Sequence, residues 1–231
     1  MLLFSVIASA VAPGLALLTF FYLKDKYDAE PIHMIIRIFL LGLLIVIPVL
    51  IVQRGLTLGL GDHPFVQSFF ISSGVEELLK WLVLYFIIYN HVEFDEPYDG
   101  IVYAVTVSLG FATVENIMYA WYSQANIGTM FIRALLPVSG HALFGVIMGY
   151  YFGIARFRKD INTKYFLGYS LLIPWLFHGI YDLILTTVTN YWAWLIVPLM
   201  LILWYGGMDK VLRANNRSPF RFQKREEEVK T

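Results

Sequence analysis

The stretch that decides the fold is Ser72-Ser73-Gly74-Val75-Glu76-Glu77-Leu78-Leu79-Lys80-Trp81, in which two carboxylates and a lysine interrupt an apolar run. The run extends from Phe65 to Tyr89, and a helix of about 25 residues, rising roughly 1.5 Å per residue, is long enough to cross a bilayer. A charge near the middle of such a helix costs a few kcal/mol if it faces lipid. The stretch therefore predicts a membrane helix whose charged side chains face other helices or a wet cavity.

The composition of the whole chain also indicates an integral membrane protein. Of its 231 residues, 58% are hydrophobic and 15% are charged, whereas about a quarter of the residues of a soluble domain are charged. The formal net charge is zero, so no overall field attracts nucleic acid, and zinc-finger and RNA-binding signatures are absent. The absence of cysteine excludes disulfides, thiolate metal sites and cysteine nucleophiles. We expect a lipid bilayer around this chain and no nucleic-acid partner.

Apolar runs between charged or turn-rich breaks predict an all-α polytopic membrane protein, a bundle of about seven transmembrane helices. The first run is interpreted as a retained span rather than a cleaved signal, because no basic residue precedes it and it continues to Leu23. Residues 1–207 are predicted to form one membrane domain, and residues 208–231 a polar, poorly ordered cytoplasmic tail. The seven helices are expected near residues 2–23, 34–52, 65–90, 100–121, 130–155, 165–188 and 191–207.

The distribution of lysine and arginine predicts the orientation of the bundle. If the C-terminus is inside, seven spans place the N-terminus outside. The inner segments then carry thirteen basic residues, against two, Arg54 and Arg133, in the outer segments. This asymmetry follows the positive-inside rule. We expect a multi-pass membrane protein with the N-terminus outside and the C-terminus in the cytoplasm.

Eight polar side chains lie too deep in the predicted helices to face lipid without cost. Counting residues from the helix ends places them between the middle of the membrane and about 9 Å from its outer surface. Polar groups from four helices at one level predict a cavity that opens outward. The eight are Glu76, Glu77 and Lys80 on the third predicted helix, Glu115 and Asn116 on the fourth, His141 on the fifth, and His178 and Asp182 on the sixth.

Spacing within the helices narrows the roles of these side chains. Glu76 and Lys80 are four residues apart and share a face, while Glu77 points about 100° away. His178 and Asp182 are also four residues apart, so the carboxylate can fix the tautomer of the imidazole. Purely structural interpretations stay open: an ion pair for Glu76 and Lys80, packing for Glu77, a helix-to-helix hydrogen bond for Glu115-Asn116, and ordinary buried polar groups for His141, His178 and Asp182.

Missing signatures exclude several hydrolase mechanisms. The sequence contains no G-x-S-x-G nucleophile elbow and no H-E-x-x-H zinc motif. Paired intramembrane aspartates are also missing, because only Asp182 lies at the required depth. What remains is a glutamate base with histidines, a set that can activate water and stabilise an oxyanion with or without a metal.

The deep polar residues fall into four motifs: Glu76-Glu77-x-x-Lys80, Phe111-Ala112-Thr113-x-Glu115-Asn116, Pro137-Val138-Ser139-x-His141-Ala142 and His178-Gly179-x-Tyr181-Asp182. Together with the loop segments Asp28-x-Glu30-Pro31 and Asp95-Glu96-x-Tyr98-Asp99-Gly100, they resemble the PrsW family of bacterial membrane proteases over all of the chain except its tail. The resemblance implies a glutamic-type intramembrane protease, related to the CAAX-prenyl endoproteases and bacteriocin-immunity membrane proteins. It also implies site-1 cleavage of a membrane-spanning anti-sigma factor, which begins the release of an envelope-stress sigma factor.

The resemblance also implies a role for each catalytic candidate. Glu76 would activate water with support from Glu77, His141 would position that water, and His178 with Asp182 would bind the carbonyl oxygen or its oxyanion. The wider group has asparagine where this chain has Asp182. An ionised aspartate cannot donate a hydrogen bond, so Asp182 is either protonated or orients His178. Lys80, Glu115 and Asn116 are expected to support the site, and no cofactor is expected, with zinc left open.

Two interpretations from other classes compete with the peptidase. Intramembrane Glu, Lys, His and Asp side chains also build the relays of proton- or cation-coupled transporters. The odd number of predicted helices and the absence of paired broken segments are untypical of such transporters. A non-catalytic scaffold that sequesters a membrane partner is the third interpretation.

Overall fold

The computed structural model describes residues 2–123, 126–158 and 162–221, and within these ranges the regular secondary structure is entirely helical. Three π-helical segments interrupt the α-helices: Gln67–Ser73, Leu84–Ile88 and Ala134–Val138. The α-helices are α1 (Leu2–Tyr22), α2 (Ile32–Leu44), α3 (Val46–Leu60), α4 (Pro64–Val66), α5 (Gly74–Val83), α6 (Asp99–Tyr122), α7 (Ile127–Arg133), α8 (Ser139–Phe157), α9 (Thr163–Thr187) and α10 (Trp192–Asn215).

Among the described residues, these elements join end to end into seven helical stretches, which correspond one by one to the seven predicted helices. Five of the stretches are long and apolar enough to cross a membrane, and the first contributes a shorter apolar helix over Ile7–Tyr22. The remaining stretch runs from α4 to Ile88 and carries Glu76, Glu77 and Lys80. The prediction of an all-α polytopic membrane protein is confirmed.

Helix boundaries differ from the predicted ones in the second and the last stretch. The second stretch continues to Leu60 instead of ending at residue 52. The second stretch breaks at Ile45, between α2 and α3, close to Pro48, which lacks the N–H that would bond to the preceding turn. The last helix continues to Asn215 instead of ending at 207. An ion pair of 2.7 Å between Arg213 Nε and Asp209 Oδ2, four residues apart, lies in this extension. Residues 222–231 of the predicted tail lie outside the described part of the chain.

Helix α6 forms the centre of the bundle, and its side chains from Asp99 to Thr113 are buried. Its neighbours approach closely because glycines line the contacts. A Cβ atom added to Gly149 of α8 would collide with the carbonyl oxygen of Gly100, and one added to Gly42 of α2 would collide with that of Val107. Such contacts between small residues bring membrane helices together. They fix the position of the chemistry-bearing residues on α6 and α8.

Connections alternate between the two ends of the bundle. At one end, Tyr98 Oη donates to the carbonyl oxygen of Phe21 (2.8 Å), and Asn215 Nδ2 donates to that of Lys24 (3.2 Å). These contacts join the loops that follow α1 and precede α6 to the end of α10. The loops after α3, α6 and α9 belong to the opposite end. The start of α1 and the end of α10 therefore lie at opposite ends of the bundle.

Candidate active site

Four helices bring seven of the eight predicted side chains into one cluster. Helix α5 supplies Glu76, Glu77 and Lys80, which are all buried. Helix α6 supplies Glu115 and α8 supplies His141, whose Nε2 lies 2.7 Å from Glu115 Oε2. Helix α9 completes the cluster with His178 and Asp182.

The ammonium of Lys80 lies at the centre of this cluster. Its Nζ is 2.8 Å from Glu77 Oε1 and 3.6 Å from Glu76 Oε2. Spacing predicted Glu76 as the partner on the shared face, whereas Glu77, three residues away, is the closer of the two. Lys80 also lies over the ring of Phe111, with Nζ 4.4 Å from the centroid. A single buried cation thus serves two buried carboxylates, which reduces the cost of keeping both in the membrane.

His178 is held between carboxylates from two helices. Its Nδ1 lies 2.9 Å from Glu77 Oε1, and its Nε2 lies 3.6 Å from Asp182 Oδ1 and 3.9 Å from Glu76 Oε2. The ring of Phe144 stacks on it at a centroid distance of 4.8 Å. Because a carboxylate can only accept, Nδ1 carries a proton towards Glu77. The orienting partner is therefore mainly Glu77 on another helix, not Asp182 on the same helix.

The contacts of His141 define its tautomer. Its Nδ1 lies 3.1 Å from Lys80 Nζ, which has no acceptor to offer, so Nδ1 accepts and is unprotonated. Its Nε2 then donates to Glu115 Oε2. Both ring nitrogens of His141 are engaged, so in this arrangement it holds Lys80 and Glu115 in place and has no free nitrogen for water.

Two side chains that the sequence did not single out bind the first glutamate. Gln53 Nε2 donates to Glu76 Oε1 (3.1 Å), and Ser72 Oγ lies 3.4 Å from the same oxygen. Ser72 Oγ also donates to Asp182 Oδ2 (2.6 Å). The spacing of four residues between Ser72 and Glu76 was a signal for this contact. Gln53 was placed in a loop, because the second helix was predicted to end at residue 52.

Asn116 does not join the cluster. Its Nδ2 donates to the carbonyl oxygen of Ala10 (3.2 Å), and its Oδ1 accepts from Arg133 Nε (2.7 Å). The Arg133 guanidinium also covers the ring of Tyr119 at 4.1 Å. Asn116 therefore ties α6 to α1 and to the end of α7, away from the buried carboxylates.

Two of the helices that carry the cluster contain a π-helical segment directly before it. Gln67–Ser73 precedes Glu76, and Ala134–Val138 precedes His141. The wider turn leaves carbonyl groups without their usual partners, and side chains bind them: Ser73 Oγ donates to Ser68 O (2.7 Å) and Trp175 Nε1 donates to Phe69 O (2.5 Å). Segments of this kind occur often at functional sites, where they redirect the side chains that follow.

A cavity of about 240 Å³ between α3, α6 and α7 reaches the cluster. Glu76 and Glu115 provide its acidic wall, while Leu50 and Phe111 provide apolar surface. A second cavity, of about 250 Å³, lies beside Ser72 and Asp182. Glu77 lines neither cavity and is fully buried. The two adjacent glutamates thus differ in access, since only Glu76 meets open space.

The donor set of the cluster fits a metal ion. The ligand atoms of Glu76, Glu77, His141 and His178 lie within 4.8 Å of one another. Oε2 of Glu76 and Oε2 of Glu77 are buried and have no hydrogen-bond partner among the described residues. Two imidazoles with carboxylates are ligands that zinc accepts. These four residues would hold such an ion, and the Lys80 ammonium would have to leave His141 Nδ1 for that nitrogen to bind it.

Comparison with known proteins identifies one family, by its profile and by individual relatives. The profile of a family described as "PrsW family intramembrane metalloprotease" matches residues 30–206. The chain is 48% identical to "Protease PrsW" of Bacillus subtilis (strain 168) over 215 residues, which cover 93% of this chain and 97% of the relative. It is 47% identical to the protein of that name in Geobacillus kaustophilus (strain HTA426), over 92% of this chain and 93% of the relative. The protein of that name in Clostridioides difficile (strain 630) is 32% identical over 84% of this chain and 85% of the relative. No solved structure matches the chain.

Proposed function

Because the chain belongs to the PrsW family of intramembrane proteases and is a peptidase, we propose that it makes the first cut in a single-span membrane regulator of the anti-sigma factor class. This cut would lie near the outer face of the membrane and would begin the release of an envelope-stress sigma factor. The substrate class comes from the family resemblance of the motifs. Family membership favours the peptidase over a transporter or a scaffold.

The proposed base is Glu76, and the observation that carries this assignment is its position on the cavity wall. Its Oε1 is held by Gln53 and Ser72, whereas its Oε2 has no hydrogen-bond partner among the described residues. A water that reaches the Glu76 carboxylate from the cavity would transfer a proton to it as the water oxygen attacks the peptide carbonyl carbon. Glu76 would then return the proton to the leaving amine nitrogen as the C–N bond breaks.

Residues around Glu76 would stabilise the charges that develop in this reaction. Because Nδ1–H of His178 is directed at Glu77, its Nε2 carries a proton only in the imidazolium form, and that N–H is our candidate donor to the oxyanion. Asp182, with Ser72 bonded to one oxygen, would orient this ring. Glu77 is a positioning residue, since it holds both His178 and Lys80.

The family description names a metalloprotease, and the donor set described above fits that alternative. An ion held by Glu76, Glu77, His141 and His178 would supply Lewis acidity and a more acidic bound water. We propose the version without a cofactor, in which Glu76 is the base. Metal analysis of the purified protein and cleavage in a chelator separate the two versions. Stoichiometric zinc, together with loss of cleavage in the chelator, would overturn the version without a cofactor.

Cleavage by protein reconstituted in liposomes with a single-span substrate tests the role of Glu76. We expect Glu76→Gln to lower the cleavage rate by about 10²–10⁴-fold, the usual contribution of a general base. Asp209→Asn makes the same carboxylate-to-amide change at a partly exposed residue of α10, away from the cluster, and should leave the rate unchanged. Full cleavage by Glu76→Gln would sink the mechanism, and so would full cleavage by His178→Ala.

A further inference from the structure

A second group of buried carboxyl side chains lies at the opposite end of the bundle from the candidate active site. Asp25 follows α1, Glu96 lies in the loop before α6, and Asp99 is the first residue of α6. One ligand oxygen of each lies within 4.8 Å of those of the other two. Glu30, also buried, contributes to the same acidic surroundings at Asp99. The mechanism proposed above uses none of these residues.

Many oxygens in this group lack a donor. Both oxygens of Glu96, which is fully buried, lack a partner at normal hydrogen-bond geometry among the described residues, and the Ser218 hydroxyl is the one nearby donor that favours its charged form. Asp25 Oδ2, Glu30 Oε1 and Asp99 Oδ1 also lack such a partner among these residues. The other oxygen of Asp99 is satisfied, because it accepts from the backbone N–H groups of Asp95 (2.9 Å) and Glu96 (2.7 Å). Buried oxygens without donors are costly, and their concentration at one point indicates a missing cationic partner or shared protons.

The backbone around these carboxyl groups is fixed from several sides. Tyr22 Oη donates to the carbonyl oxygen of Glu30 (2.9 Å), and Tyr98 Oη donates to that of Phe21. The backbone N–H of Lys26 donates to Asn215 Oδ1 (3.2 Å), which attaches the loop with Asp25 to the end of α10. The carboxyl oxygens are therefore held together by a preformed frame.

The burial of these carboxyl groups close together raises their pKa values. Burial raises the pKa of both Glu30 and Glu96 to about 8, and that of Asp25 to about 6. Nearby carboxylates act in the same direction on Glu30 and Glu96. A divalent cation would remove this penalty by neutralising two charges and occupying the free oxygens.

We propose that Asp25, Glu96 and Asp99 bind a hard divalent cation, such as Ca²⁺, with Glu30 beside it. The donors are all oxygen, which hard cations prefer, and the group contains no imidazole. Ca²⁺–oxygen distances are about 2.4 Å, so two ligands on opposite sides of the ion lie about 4.8 Å apart. The three oxygens lie within 4.8 Å of one another, so one ion of this size can contact all three. A small cavity of about 70 Å³ lies beside Glu30 and is lined by Asp28, Glu93 and Asp95 among others, but by none of the three proposed ligands.

Thermal unfolding of the full chain in detergent tests this site without reference to cleavage. The chelator-treated protein is compared in the presence of CaCl₂, MgCl₂ or MnCl₂. A cation present at a hundred times its Kd should raise Tm by about 5–10 °C in a protein of this size. We expect a rise with at least one of the three ions, and calorimetric titration should give one bound ion per chain at this site.

Two ligand variants and two control variants connect the effect with the proposed ligands. Glu96→Gln should lose the rise in Tm, and Asp25→Asn, at a partly exposed position, serves as a second ligand variant if Glu96→Gln does not fold. Asp62→Asn, at an exposed loop residue of the other end, should keep the rise. Glu76→Gln should also keep it, because that change affects the candidate active site. No rise with any of the three ions, or an undiminished rise in the ligand variants, would overturn the proposal and leave shared protons as the explanation.

Discussion

Glu76 and Glu77 are neighbours in the sequence, yet their side chains meet different surroundings. Glu77 is enclosed and has two buried partners, Lys80 and His178, at 2.8 and 2.9 Å. Glu76 is bound more loosely by Lys80, at 3.6 Å, and faces the cavity. At the scale of single residues, this difference separates a structural carboxylate from one with access to substrate and water.

The same substitution by glutamine should therefore affect mainly stability at Glu77 and mainly cleavage at Glu76. Glu77→Gln leaves Lys80 and His178 short of a buried negative partner, which costs about 3–5 kcal/mol when one member of a buried pair is removed. For a chain of this size, we expect Tm to fall by about 6 °C or more. Glu76→Gln should lower Tm much less while it abolishes cleavage. Thermal unfolding of both purified variants measures this, and equal losses of Tm would contradict it.

Residue chemistry explains which parts of the site could be predicted from the sequence. Charged and imidazole groups in apolar helices are costly, so the convergence of Glu115, His141 and His178 was predictable from depth alone. The contacts of Ser72 with Glu76 and Asp182 were not predicted, because a hydroxyl in a helix can bond to its own backbone and needs no partner from elsewhere. Lys80 Nζ lies closer to Glu77 than to Glu76 because of side-chain geometry, which helical spacing does not determine.

At the scale of elements, the contact between α6 and α8 depends on glycine. Gly149→Ala would press a methyl group against the carbonyl group of Gly100 and force the helices apart, at a cost of about 1–3 kcal/mol or more. Gly168→Ala on α9 is the matched control, since no atom lies within 4 Å of the added Cβ. Unfolding in detergent should show a lower Tm for Gly149→Ala only. A fall of the same size for Gly168→Ala would refute the packing explanation.

Helix α3 offers a test of the route to Glu76. Leu50 lines the cavity, while Leu58 on the same helix does not line it and is exposed. Leu50→Trp should fill the space that a substrate segment needs and raise KM for cleavage by about tenfold. Leu58→Trp adds the same bulk away from the cavity and should leave KM unchanged. Unaltered kinetics in Leu50→Trp would place substrate entry elsewhere, for example at the cavity beside Ser72 and Asp182.

Hydropathy predicts the part of a helix that lies in the membrane, but not the part that extends beyond it. Helix α10 continues to Asn215 through polar residues that no apolar pattern marks. The π-helical segment Gln67–Ser73 was invisible as well, because the sequence of a π-helix does not differ in periodicity over a single turn. Both features depend on tertiary contacts, such as those of Trp175 and Asn215.

At the scale of the whole molecule, the alternation of seven helical stretches agrees with the seven apolar runs, since each crossing needs one run. The orientation proposed from the basic residues places Asp62 outside and Asn216 in the cytoplasm. Because the chain contains no cysteine, Asp62→Cys and Asn216→Cys each introduce a single thiol. A membrane-impermeant maleimide on intact cells should label only Asp62→Cys. Labelling of Asn216→Cys alone would reverse the orientation.

The ion pairs of α5 also have a consequence for biogenesis. Lys80 binds His141, 61 residues later in the chain, and Glu77 binds His178, 101 residues later. At about 5–20 residues per second, the ribosome needs roughly 5–20 s after Glu77 to complete this set of partners. During that interval the newly made helix carries three charges that lipid does not solvate. We therefore expect it to remain beside the insertion machinery until α9 has been synthesised, and nascent chains arrested before α9 should crosslink to that machinery through α5.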